Sequence, residues 1–185
     1  MIEEVLAQAE GKMQKTVEAV RGDLAGIRTG RASPAIVDHL KVDYYGAATS
    51  LNQLASISIP EPRLLVIQPW DRRALPSIEK AILKSDLGLT PTNDGATIRL
   101  AFPQLSEERR RELVRLVKKK VEEGRVALRN VRREALEELR EGMKKKELSE
   151  DDEKRAVEQL QRLTNFFIEE LEGVGQEKEA ELLEV

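Results

Sequence analysis

Cysteine is absent from this 185-residue chain, histidine occurs once, and only six residues carry an aromatic ring. Without thiols the chain has no disulfides and no thiolate metal sites. His39 stands alone, with no serine or cysteine nucleophile pattern beside it, so it reads as a structural or surface residue. So few rings point to a thin aliphatic core, as in a narrow helix bundle, rather than to a broad sandwich. No run approaches the roughly 18 apolar residues of a membrane span, and the acidic start Met1-Ile2-Glu3-Glu4 is unlike a signal or transit peptide. A cytoplasmic protein is expected. Neither the P-loop nor the Rossmann glycine pattern occurs, and no carboxylates converge with a nucleophile or metal pattern. The expectation is therefore a protein that is not an enzyme and holds no cofactor.

What the chain does have is charge, which makes up 35% of its residues. The formal net charge of −3 hides an uneven distribution. Residues 106 to 146 carry 15 Lys/Arg against 9 Asp/Glu, a net +6, whereas residues 147 to 185 carry 4 against 13, a net −9. Any anion-binding surface should lie on the middle segment, where Arg125 to Arg133 reads Arg-Val-Ala-Leu-Arg-Asn-Val-Arg-Arg.

Three segments show helical periodicity. In the first, Ile2, Leu6, Ala9, Met13, Val17, Val20, Leu24 and Ile27 fall on one stripe, and Gly30 and Pro34 predict its end within Arg28 to Pro34. The second opens at Ser106 as N-cap, with Glu107 and Glu108 in the dipole-favoured first turn. Its seam is Leu113, Val117, Val121, Gly124, Leu128, Val131, Ala135 and Leu139, with Gly124 and Gly142 as points of local softening. The third follows Ser149, with Asp152 completing a capping-box pattern and Val157, Leu160, Thr164, Phe167, Leu171 and Val174 on the seam. A rod of about 60 Å at 1.5 Å per residue cannot bury its seam alone, so a three-helix bundle over residues 1–30 and 106–185 is the economical arrangement. The short link near Lys146 to Leu148 makes its last two helices antiparallel neighbours.

Between them, residues 31–105 change to a period of two. Leu40, Val42 and Tyr44 alternate, then Ala55, Ile57 and Ile59, then Leu64 to Ile67. An amphipathic helix over Ala74 to Lys84 follows, and then the turn Asn93-Asp94-Gly95 and the strand Ile98, Leu100, Phe102. The fold class is α+β, a long bundle with a small inserted β/α/β domain. The chain leaves the bundle through Thr29, Gly30 and Arg31 and returns through Pro103, Gln104 and Leu105, two adjacent crossings that suit a hinge.

Arg125, Arg129 and Arg132 share one helical strip, where guanidinium forks suit bidentate contact with phosphate. The opposing reading is a solvated face whose arginines pair with Glu122, Glu134, Glu138 or the acidic third helix. Arg109, Arg110, Arg111 and Arg115 form a second basic cluster, interleaved with glutamates as a charged helix start would be. Arg28 and Arg31 flank the hinge and fit either phosphate contact or capping of the first helix. The acids Glu150 to Glu153 read as dipole complementation, since the spacing and glycine of a calcium loop are missing. Tyr44-Tyr45-Gly46 fits a base-stacking platform and a strand entering a turn equally well. Trp70 reads as an anchor packed inside the insert.

Six motifs in order, Ile27 to Pro34 (Ile-Arg-Thr-Gly-Arg-Ala-Ser-Pro), Val42 to Gly46, Leu51 to Ala55, Ser85 to Leu89, Arg129 to Arg133 and Leu148 to Asp152, closely resemble bacterial ribosome recycling factors over nearly the whole chain. The resemblance implies an L-shaped monomer whose outline approximates tRNA. It also implies a binding function without catalysis: occupying the space between the subunits of the post-termination ribosome and, with elongation factor G and its GTP hydrolysis, splitting them. By motif match, large-subunit rRNA contacts carry over to Arg129, Arg132 and Arg133, and further to Arg110, Arg28 and Arg31. The smaller domain is expected to meet elongation factor G. A coiled-coil interaction protein or chaperone cofactor without ribosome binding is the alternative, and a hydrolase with an unrecognised carboxylate site is a third, for which the sequence gives no sign of a pocket.

Overall fold

The computed structural model describes residues 1–184. The chain divides into two compact units, residues Met1–Arg28 with the segment from Glu107 onward, and Thr29–Ser106.

The first unit consists of α1 (Ile2–Ala25), α3 (Glu107–Lys144) and α4 (Glu150–Leu183), separated in sequence by the second unit, which contains α2 (Leu75–Lys84). At 38 residues α3 is about 57 Å long. The seam of α1 is Val5, Ala9, Met13, Val17, Val20 and Leu24, so Val5 takes the place expected of Leu6, which is half-buried on the flank. That helix stops at Ala25, with Gly26 as its cap, several residues before the expected end. Gly30 is no helix cap. At φ +80° it sits where an added Cβ would meet the Pro103 carbonyl at 3.4 Å and Leu105 at 3.5 Å, so the two crossings lie against each other there.

Along α3, Val131 is half-buried, and Gly142 joins the buried line. On α4 the small Ala156 is buried and Val157 is half-buried at the flank. Thr164, on the same seam, donates its hydroxyl to the Leu160 carbonyl at 2.8 Å, which satisfies a buried polar group within its own helix.

The link between α3 and α4 closes with paired bonds. Glu147 N donates to Gly142 O at 2.9 Å and Lys146 N to Met143 O at 3.0 Å, with Lys146 at φ +59° in the left-handed position usually held by glycine. Ser149 then caps α4 by accepting from Asp152 N at 3.1 Å, and Glu150 to Glu153 face the positive end of that helix.

Gly124 and Gly175 are held by packing between helices. A Cβ at Gly124 would stand 2.9 Å from Val20 and 3.1 Å from Leu171, so this position of α3 is touched by α1 and α4 together. Gly175 of α4 faces Val121, whose methyl would be 2.6 Å from an added Cβ. Gly142 lies under the flexible Met1 side chain.

In the second unit, β1 (Lys41–Tyr44) and β2 (Ala47–Ser50) form a hairpin, and β3 (Ala55–Glu61), β4 (Leu64–Pro69), β5 (Thr92–Asn93) and β6 (Ile98–Ala101) form an antiparallel sheet in the order β3-β4-β6-β5. Leu65, Ile67, Ile98 and Leu100 alternate inward and share one core with Leu75, Ile78 and Ile82 of α2. Asp94 stitches the β5–β6 turn by accepting from Ala96 N, Thr97 N and the Thr97 hydroxyl, and these bonds lower its pKa to about 2.

Gly175→Ala should destabilise the protein by about 1–2 kcal/mol, because overpacking against the stiff Val121 outweighs the gain in helix propensity. Chemical denaturation measures it, and Val121→Ala placed on top should recover part of the loss. A stabilised Gly175→Ala protein would show that the helices separate freely at this level.

Candidate nucleic-acid interface

The basic residues of α3 have different fates that depend on what α4 places opposite them. Arg125 is consumed within the bundle. It is half-buried and forms ion pairs with Glu122 on its own helix and with Glu172 of α4, the latter at 3.4 Å. Arg132, also half-buried, donates from Nη1 to Gln161 Oε1 of α4 at 2.9 Å, and its buried Nε has no hydrogen-bond partner among the described residues. Arg129 and Arg133 are exposed, and among the described residues no carboxylate pairs with either.

Of the acids expected to neutralise the strip, Glu122 does so for Arg125 only, while Glu134 pairs with Lys12 of α1 at 3.6 Å. Arg129 neighbours both others on the helix surface, Arg132 at three residues and Arg133 at four, while Arg132 and Arg133, consecutive in sequence, diverge to either side of it, Arg132 toward α4. Exposed charges held together without counter-ions repel one another. Such a group is stabilised by an external anion, and repeated phosphates supply several at once.

The other sequence-selected cations are spread more widely. Arg110 is half-buried, with its Nε also buried and without a partner among the described residues. Its neighbours are neutralised locally, Arg109 by Glu112 at 2.9 Å and Arg111 by Glu107 at 2.6 Å, as a charged helix start requires. Arg28 and Arg31 are exposed and each already has an interaction within the chain.

One aromatic departs from expectation. Trp70 is 68% exposed rather than packed inside, because it follows the outward parity of Leu64, Val66 and Gln68 along β4. Tyr45 is 72% exposed at the β1–β2 turn, while the Tyr44 hydroxyl donates to Asp71 Oδ2 at 3.0 Å. The backbone N–H of Arg73 and that hydroxyl hold Asp71 below the usual carboxylate range, and the same bond to Asp71 raises Tyr44. Gln161 escapes a reading of the sequence, where one glutamine on a polar helix face carries no signal of a partner 29 residues away.

The chain matches the ribosome recycling factor family over residues 20–183. It belongs to that family. Ribosome-recycling factors of Roseiflexus sp. strain RS-1 and Heliobacterium modesticaldum are 57% and 58% identical to it, each over the full length of both chains. Among solved structures, a solution structure of the ribosome recycling factor, 48% identical, superposes with a TM-score of 0.83 over 100% of this chain and 98% of the other. A second, of the T. thermophilus ribosome recycling factor and E. coli elongation factor G bound to the E. coli post-termination complex, is 49% identical and superposes with a TM-score of 0.67 over the whole of both chains. Among the described residues of this recycling factor, no helix is long and apolar enough to cross a membrane.

Because no carboxylate among the described residues pairs with Arg129 or Arg133, Arg129→Ala and Arg133→Ala should each change unfolding free energy by less than about 0.5 kcal/mol. Arg132→Ala should lose about 1 kcal/mol with the Gln161 bond. Urea unfolding of the three variants checks the ordering, and equal losses at all three would contradict it.

Proposed function

We propose that this recycling factor, a translation factor without catalytic activity of its own, binds the post-termination ribosome between its subunits by gripping large-subunit rRNA with the arginine strip of α3. Elongation factor G hydrolyses GTP and drives the separation of the subunits, and residues 31–105 are the part it meets. The observation that carries this reading is the cluster of Arg129, Arg132 and Arg133, none of them neutralised by a carboxylate among the described residues, whereas Arg109, Arg111 and Arg125 of the same helix are ion-paired. Arg110, Arg28 and Arg31 supply further phosphate contacts. A chain that only packed against another coiled coil would gain nothing from leaving these cations without counter-ions. The protein acts as a monomer in the cytoplasm and needs no cofactor.

The salt dependence of binding is the direct test. Replacing Arg129, Arg132 and Arg133 together by Ala should weaken binding to purified large subunits and lower the log-log salt slope by up to about 0.9 for each phosphate no longer neutralised, by analogy with duplex DNA. A folded triple variant that binds like the parent would remove the rRNA grip.

The two crossings, Thr29 to Arg31 and Pro103 to Leu105, serve as the hinge through which force from elongation factor G passes. Support comes from Gly30, whose positive φ and close approach to Pro103 and Leu105 confine the backbone there to a geometry that favours glycine. The chain has no cysteine, so a disulfide introduced between the crossings would be the only one present. The cross-linked protein should bind ribosomes normally and split them slowly. Full splitting activity in the oxidised form would take the hinge out of the mechanism.

A further inference from the structure

We infer that Gln161 of α4 is a positioning residue for the phosphate grip, holding the Arg132 guanidinium in a fixed orientation without neutralising it. The inference rests on the rRNA-binding reading of the α3 strip. Its basis is a relay of two bonds: Arg132 Nη1 donates to Gln161 Oε1 at 2.9 Å, and Gln161 Nε2 donates to Asn165 Oδ1, one turn further along α4, also at 2.9 Å.

Each bond restricts a choice. The bond to Asn165 uses the amide nitrogen of Gln161, which turns the amide oxygen toward α3. The bond to that oxygen and the burial of Nε fix the plane of the guanidinium, and three of its five N–H groups remain for an external acceptor. A carboxylate at position 161 would orient the arginine equally well but would cancel its charge, as Glu172 and Glu122 do for Arg125. The segment from residue 147 onward carries 13 acidic residues, yet the side chain facing Arg132 is a neutral amide. The chemistry at this position decides whether α3 offers phosphate a cation or a closed ion pair.

The experiment measures binding of the full chain to purified large ribosomal subunits over a range of salt, for Arg132→Ala, Gln161→Ala, Gln161→Glu and the double variant Arg132→Ala/Gln161→Ala. Gln161 and Asn165 are both exposed, so the substitutions leave the core intact, and urea unfolding verifies this. Gln161→Ala should weaken binding about 3- to 10-fold in the parent, the usual size of coupling between bonded side chains, and have no effect once Arg132 is Ala. Gln161→Glu should keep or raise stability while weakening binding and lowering the salt slope, an outcome that a purely structural role would not produce. Additive effects of Gln161→Ala and Arg132→Ala, or parent-like binding by Gln161→Glu, would overturn the positioning role while leaving the grip standing. Parent-like binding by Arg132→Ala would instead remove Arg132 from the grip, and the role of Gln161 with it.

Discussion

The close approach of three helices around Gly124 and Gly175 is the constraint on which the first unit depends. A side chain on either glycine would run into Val20 and Leu171 or into Val121, so the absence of a Cβ sets how near α1, α3 and α4 come to one another. Separation in turn sets which side chains can reach across. Arg125 meets Glu172 at 3.4 Å and Arg132 meets Gln161 at 2.9 Å only because the backbones lie close and the register is fixed. Packing and electrostatics are therefore one problem here: a displaced register would change the partner of every arginine on that side of α3.

The net charges of +6 and −9 on adjacent helical segments suggest wholesale neutralisation, but the geometry prevents it. Antiparallel packing brings only one side of α3 toward α4, and most acids of α4 point elsewhere. Glu170, for example, reaches Arg21 of α1 at 3.6 Å. Exposed pairs of this kind contribute little individually, about 0–1 kcal/mol. Their larger consequence is to decide which cations stay available. Arg125 lies next to the strip in sequence but is withdrawn from it, whereas Arg129 and Arg133 remain outside the reach of α4.

Much of the fold is legible in the sequence because local chemistry and long-range packing agree. Ser149 reads as a cap and caps, Asn93-Asp94-Gly95 reads as a turn and is held as one by Asp94, and the inward alternation at Leu65 and Ile67 is the buried face of β4. The family resemblance, carried by six short motifs, is borne out by relatives at 57% and 58% identity over the full chain. The misreadings have physical causes. A periodic stripe permits neighbouring positions to exchange, so Val5 and Leu6 are distinguishable only by what packs on them. The end of α1 at Ala25 carries no proline signal of its own. Gly124 reads as a soft point because helix propensity sees one helix at a time, while its value lies in the contact with Val20 and Leu171 of the other two. Ring size alone puts Trp70 in the interior, although strand parity turns it outward. Gln161 is out of reach for the same reason as Gly124, since its meaning depends on what lies across the helix interface.

The difference in order among the three arginines bears on how such a grip would work. Arg132 enters an encounter with its orientation already restrained by Gln161 and by burial of its Nε, so little rotamer entropy remains to be lost there. Arg129 and Arg133 are long exposed side chains, and ordering each against a phosphate gives up on the order of 1 kcal/mol. One restrained cation beside two mobile ones fixes a register on a phosphate backbone while tolerating variation in the positions of the neighbouring phosphates. A strip of three restrained arginines would demand a single RNA geometry, and three mobile ones would hold no register. The intermediate arrangement combines a fixed register with tolerance in the neighbouring contacts, which is what the proposed grip requires.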